Sequence, residues 1–153
     1  MSVPLPVTPT VTPTVTPTVI RNADARRTET PNGVMTSLAT PTQGGTAKLA
    51  VWRVDATPGA TGPLHVFDQE SVWTLLGGAV TFTVGDDKVD LAPGDTLVIP
   101  ADVSRQMFVS PDGFQAVVAA PAGTLVHTPD PVVADGCDLA PKVGEKIVPP
   151  WAR

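Results

Sequence analysis

GPLHVFDQESVWTLLGGAVTFTVGDDKVDLAPGDTLVIPADVSRQMFV, residues 62–109, is the stretch whose reading decides the fold. Its apolar segments, PLHVF, SVWTLL, AVTFTV, VDL and TLVIP, are short and rich in β-branched residues. They are separated by DQE, GG, GDDK and APGD, where Gly, Pro and Asp supply turn conformations. In AVTFTV, Val80, Phe82 and Val84 fall on one face of a strand, with Thr81 and Thr83 on the other. The pattern continues outward in both directions. AKLAVWRVDA and PGATG precede the stretch, and PDG, FQAVVAA and TLVHT follow it. No segment sustains a helical period beyond two turns. Strands at this spacing predict an all-β sandwich or barrel, with Gly77 and Gly78 as a turn between two of them.

The flanks have a different character. Residues 7–19 read VTPTVTPTVTPTV; proline at every fourth position forbids a helix, and nothing in the repeat can bury a face. Residues 1–21 are therefore expected to be a disordered Thr/Pro-rich tail. Residues 22–45 form an N-terminal extension of mixed composition, with one short strand expected from Val34 to Ala39. The barrel itself is assigned to residues 46–127. Residues 128–153 are Pro- and Asp-rich but carry Trp151, so this C-terminal extension is expected to pack on the barrel or on a partner subunit.

Length and charge narrow the function. The 153 residues suffice for one domain with a real core and are too few for two ordinary ones. Lys+Arg 10 against Asp+Glu 15, a formal charge of −5, with no basic run, argues against nucleic acid and against an acidic membrane surface. The single cysteine, Cys137, allows no intrachain disulfide and no cysteine-based metal cluster; it reads as a free thiol in a loop. No apolar run approaches the roughly 20 residues of a membrane helix, and the N-terminus does not read as a secretory signal. A cytoplasmic location is expected.

Residues 62–109 resemble the two sequence motifs of the cupin superfamily. With VWTLLGG aligned on the family's hydrophobic strand and glycine turn, His65 takes the first histidine position, Phe67 the second, and Ser71 the glutamate position. If Gly77 is the motif's glycine, Glu70 takes the glutamate position instead. GDDKVDLAPGDTLVIPADVSRQMFV is similar to the looser form of the second motif: Pro93, Gly94 and Asp95 make the turn, Ile99 to Ala101 end the next strand, and Arg105 stands at the histidine position. The resemblance spans residues 46–127 and implies a single cupin-type β-barrel, a jelly roll, commonly paired into a homodimer.

It also implies a metal site of three imidazoles and one carboxylate, of which this chain keeps His65 alone. Phe67 has no lone pair to give, and neutral Ser71 is a poor ligand. A guanidinium about 4 Å from a dication repels it by roughly 8 kcal/mol at an effective dielectric near 20. No cofactor is therefore expected; an atypical metal site would have to draw on His65, Glu70 and His127, with Asp68 nearby. Strand alternation turns Ser71, Trp73 and Leu75 inward along one strand and Arg105, Met107 and Val109 along another. With His65 and Phe67 they outline an apolar cavity for a small-molecule ligand.

The favoured expectation is a metal-independent enzyme of isomerase, cyclase or dehydratase type, acting on a small acidic or carbonyl-bearing substrate. In it His65 is the acid or base and Arg105 the anion holder, with Phe67, Ser71, Trp73, Met107 and Glu70 contacting substrate. A binding or sensing module without turnover is the alternative, and a dioxygenase-like cupin with altered ligands a second. Each residue also has a plainer role open to it: His65 in the core, Arg105 on the rim, Phe67 and Trp73 as packing, Asp68 and Glu70 as exposed turn residues.

Overall fold

The structure, a computed structural model, describes residues 16–129 and 144–153. Most of the Thr-Pro repeat, and Cys137, lie outside the described residues. Nine strands are present among the described residues: β1 (Arg27–Thr30), β2 (Gly33–Ala39), β3 (Leu49–Ala56), β4 (His65–Phe67), β5 (Ser71–Val84), β6 (Asp87–Leu91), β7 (Thr96–Ile99), β8 (Ser104–Pro121) and β9 (Val126–His127). No helix among these residues is long and apolar enough to cross a membrane.

Two long strands organise the molecule. β5 and β8 run antiparallel along their whole length, Val72 opposite Ala119 at one end and Val84 opposite Arg105 at the other. The register shifts between Leu75 and Gly77 and again between Gly78 and Val80, so both strands bend there together. One half of the pair joins β3, β2 and β1 on the β8 side and β7 on the β5 side. The other half joins β4 and β9 on the β8 side and β6 on the β5 side. The sheet thus folds over itself into a jelly roll.

This corrects the expectation for Gly77 and Gly78, which lie within one bent strand rather than in a turn. Gly78 has φ +73°, and a Cβ there would collide with the Gly113 carbonyl oxygen on the facing strand. Gly113, at φ +75°, bends β8 at the matching point. Glycine is needed on both sides because the backbones meet where the sheet turns over.

Residues 22–45 enter the same sheet through β1 and β2, and β2 pairs with β3 from Gly33 opposite Ala56 onward. Ala50, Trp52, Val54 and Ala56 alternate inward along β3 and meet Leu75, Val80, Phe82, Phe114 and Val118 in the core. Residues 144–153 lie against the barrel: Ile147 bridges to Val126, the Ser37 hydroxyl donates to the Trp151 carbonyl at 2.7 Å, and Ala152 is buried.

Candidate functional site: a tryptophan-lined cavity beside a buried guanidinium

β4 carries only three residues, and its alternation sets the site. His65 and Phe67 share one face while Val66 takes the other, opposite His127 of β9. The His65–Phe67 face looks into an open-mouthed cavity. Trp52 of β3, Trp73 of β5 and Met107 of β8 wall it from the barrel, and Pro149 and Trp151 of the C-terminal segment from outside it. Thr30, Asn32 and His65 contribute the polar side chains besides the indoles, and no Asp, Glu, Lys or Arg lines it.

Beside this cavity the four motif positions meet. Arg105 stands directly across from His65 in the β4–β8 ladder. Its guanidinium carbon lies 3.2 Å from the centre of the Phe67 ring, and Nη1 donates to the Ser71 hydroxyl at 2.6 Å. Ser71 Oγ also accepts from Trp73 Nε1 at 3.2 Å. Arg105 is only 5% exposed and Ser71 not at all. No carboxylate accepts from Arg105 among the described residues, and its Nη2 is buried without a hydrogen-bond partner. Stacking on Phe67 recovers part of the lost hydration, about 2 kcal/mol for a desolvated cation on an aromatic face.

The electrostatics follow from this burial. Desolvation pushes the Arg105 guanidinium down to about 9, which leaves it a cation at neutral pH. His65 is held down at about 4, first by desolvation, then by the Arg105 charge and by His127. It is therefore a neutral imidazole at physiological pH, and its Nε2 is buried without a partner.

Of the residues the sequence singled out, His65, Phe67, Trp73 and Met107 line the cavity. Ser71 and Arg105 do not; they form the polar contact behind Phe67. Glu70 is exposed in the β4–β5 turn and is not brought to the cavity. Asp68 begins that turn and ties it to the segment before β9, its Oδ1 accepting from the Leu125 amide at 2.8 Å. Among the contributors not singled out as site residues are Trp52, whose inward place was readable from the alternation of AKLAVWRVDA, and Trp151, which signalled that the C-terminal segment packs on the barrel but not that it does so at this cavity.

A metal does not suit this donor set. His65 offers one imidazole, the Ser71 oxygen already accepts two hydrogen bonds, Phe67 offers nothing, and Arg105 is a cation. The atypical set of His65, Glu70 and His127 is not assembled either, since Glu70 faces solvent and His127 lies on the opposite face of the layer from His65. Among the described residues no three His, Cys, Asp or Glu side chains are grouped to hold a metal ion.

Comparison with known proteins supplies the family. A family model described as Cupin domain matches residues 52–120, from β3 to the end of β8. Among solved structures, the chain is similar to oxalate decarboxylase of Bacillus subtilis, described for its Mn(II) centres, with TM-score 0.65 and 17% identity over 72% of this chain and 30% of that one. The same decarboxylase at pH 4.6 gives the same values. An oxalate decarboxylase studied for its substrate-binding mode gives TM-score 0.65 and 17% identity, with 31% of its chain covered. At this identity the likeness is one of fold, and this chain spans about 30% of the length of the decarboxylase. No protein of curated function matches the sequence. The family model across the core strands and the jelly roll built on β5 and β8 agree: residues 52–120 are a cupin domain.

Proposed function

We propose that this cupin binds a small, uncharged, largely apolar molecule bearing a carbonyl group, and does so without a metal. The observation that carries the proposal is the cavity wall, which joins three indoles, Phe67 and two methionines and contains no charged side chain. An anion entering such a wall gives up its hydration without a facing cation, because the Arg105 guanidinium lies behind Phe67. A neutral carbonyl gives up less. It also has a donor to meet, since the indole nitrogen of Trp151 is buried without a partner. Of the two substrate types expected from the sequence, the carbonyl-bearing one is favoured over the acidic one.

Turnover is the second reading, and the unpartnered Nε2 of His65 favours it. An imidazole held near 4 is a weak base at neutral pH, so binding stands ahead of acid–base catalysis. Matched probes of equal shape test the main reading: 2-naphthamide against 2-naphthoate, followed by the indole N–H signals in protein NMR. The amide is expected to bind at least about tenfold tighter, a difference of about 1.4 kcal/mol. Tighter binding of the naphthoate, or no response of the indoles to either probe, would refute the reading.

We further propose that the chain pairs with a second copy of itself. Val98, Val72, Ala119 and Val51 follow one another across β7, β5, β8 and β3 on the outer face of one layer, and Val98 is 55% exposed. A continuous apolar row on an open sheet face is a surface that a partner covers.

A further inference from the structure

We propose that Arg105 is a built-in cation occupying the seat where a cupin of the resembled type would hold its metal ion, and that its guanidinium is what keeps divalent ions out. The inference deepens the metal-free reading above and rests on it. Three observations carry it. First, the four motif positions are assembled in space: His65 faces Arg105 across the ladder, Phe67 lies under the guanidinium and Ser71 is bonded to it. The strands thus bring the four positions together around one guanidinium.

Second, the point on which they converge is filled by positive charge. The guanidinium is almost wholly buried, yet it has no carboxylate partner among the described residues. A structural arginine in a core ordinarily comes with an acid. Here its partners are a π-face and a hydroxyl, neither of which cancels the charge. Third, bonding is incomplete on both sides of the pair. Nη2 of Arg105 and Nε2 of His65 are both buried and unpartnered, as expected where an organic cation takes a place shaped for several converging ligands. A dication brought to this point would meet a fixed like charge in dry surroundings, so exclusion is active and does not rest on missing ligands alone.

The full-length chain and two variants test this by titration with Mn(II) and Ni(II), read by calorimetry and by electron paramagnetic resonance for Mn(II). Phe67→His/Ser71→Glu supplies ligands but keeps Arg105; Phe67→His/Ser71→Glu/Arg105→His removes the cation as well. The triple variant is expected to bind one ion per chain at least about 100-fold tighter than the double variant, and the unaltered chain to bind none. Binding of one ion by the unaltered chain overturns the metal-free reading and the inference together. An unaltered chain without metal, but double and triple variants of equal affinity, overturns the inference alone, as does a folded triple variant that binds nothing. Should the triple variant not fold, Arg105→His alone places two imidazoles opposite each other across β4 and β8. It is expected to bind one Ni(II) per chain where the unaltered chain binds none, and a folded Arg105→His that binds none overturns the inference.

Discussion

Ser71 Oγ accepts from two buried donors, Arg105 Nη1 and Trp73 Nε1, and so ties the guanidinium to the cavity wall. Ser71→Ala leaves both donors unmet, with an expected loss of about 2–4 kcal/mol in urea unfolding. Arg105→Met removes the cation while keeping much of its volume, and is expected to unfold no more easily than the parent, because a buried charge without a counter-charge costs stability. A large loss in Arg105→Met would mean the guanidinium is a structural support. His65 makes a second prediction. Its folded-state value, about 4, lies below the unfolded value of 6.5, so the unfolded chain takes up the proton more readily. The stability it contributes is complete above pH 6.5 and is lost as pH falls towards 4, by about 3 kcal/mol in all. His65→Gln should flatten that limb of a stability–pH curve; an unchanged limb would assign it to other groups. Strand alternation made His65, Phe67, Trp73 and Met107 legible in the sequence, because side chains two apart share a face. The stacking of Arg105 on Phe67 was not legible, since it depends on a rotamer, and Glu70, which entered only through the alternative alignment on Gly77, stands exposed in the turn.

At the level of elements, the bend shared by β5 and β8 closes the sheet and thereby makes the cavity. Gly78→Ala sets a methyl group against the Gly113 carbonyl at a backbone angle that side chains disfavour. The expected cost is about 3 kcal/mol or more, seen as a drop in the thermal midpoint. A change under about 0.5 kcal/mol would mean the bend tolerates a side chain and is set elsewhere. The sequence announced a glycine break at this place but not its kind. A hairpin turn and a bend in a continuous strand both call for positive φ. What separates them is whether the partner strand bends at the same level, and Gly113 lies 35 positions further along the chain. The periodicity of apolar residues was enough for the strands themselves, since burying one face requires it.

For the molecule as a whole, the all-β jelly roll was legible because turn chemistry and strand length repeat along the chain, whereas the C-terminal segment's place on the cavity depends on contacts with β2 and β9 that no local pattern encodes. The proposed pairing of two copies has a direct check in light scattering at micromolar concentration, where the mass should be twice that of the 15.8 kDa chain. Val98→Glu, on the outer face and away from the cavity, should shift that equilibrium to the monomer without unfolding it; a parent that is already monomeric would refute the pairing. The cavity wall has one more consequence. The chain has three tryptophans and no tyrosine, and Trp52, Trp73 and Trp151 all stand on that wall. Its intrinsic fluorescence therefore arises almost wholly from around one pocket, with strands and the C-terminal segment each supplying an emitter. A guest that displaces water from the indoles, or a C-terminal segment that lifts away, would change the colour and intensity of that emission, so the protein carries an unlabelled optical gauge of its own occupancy.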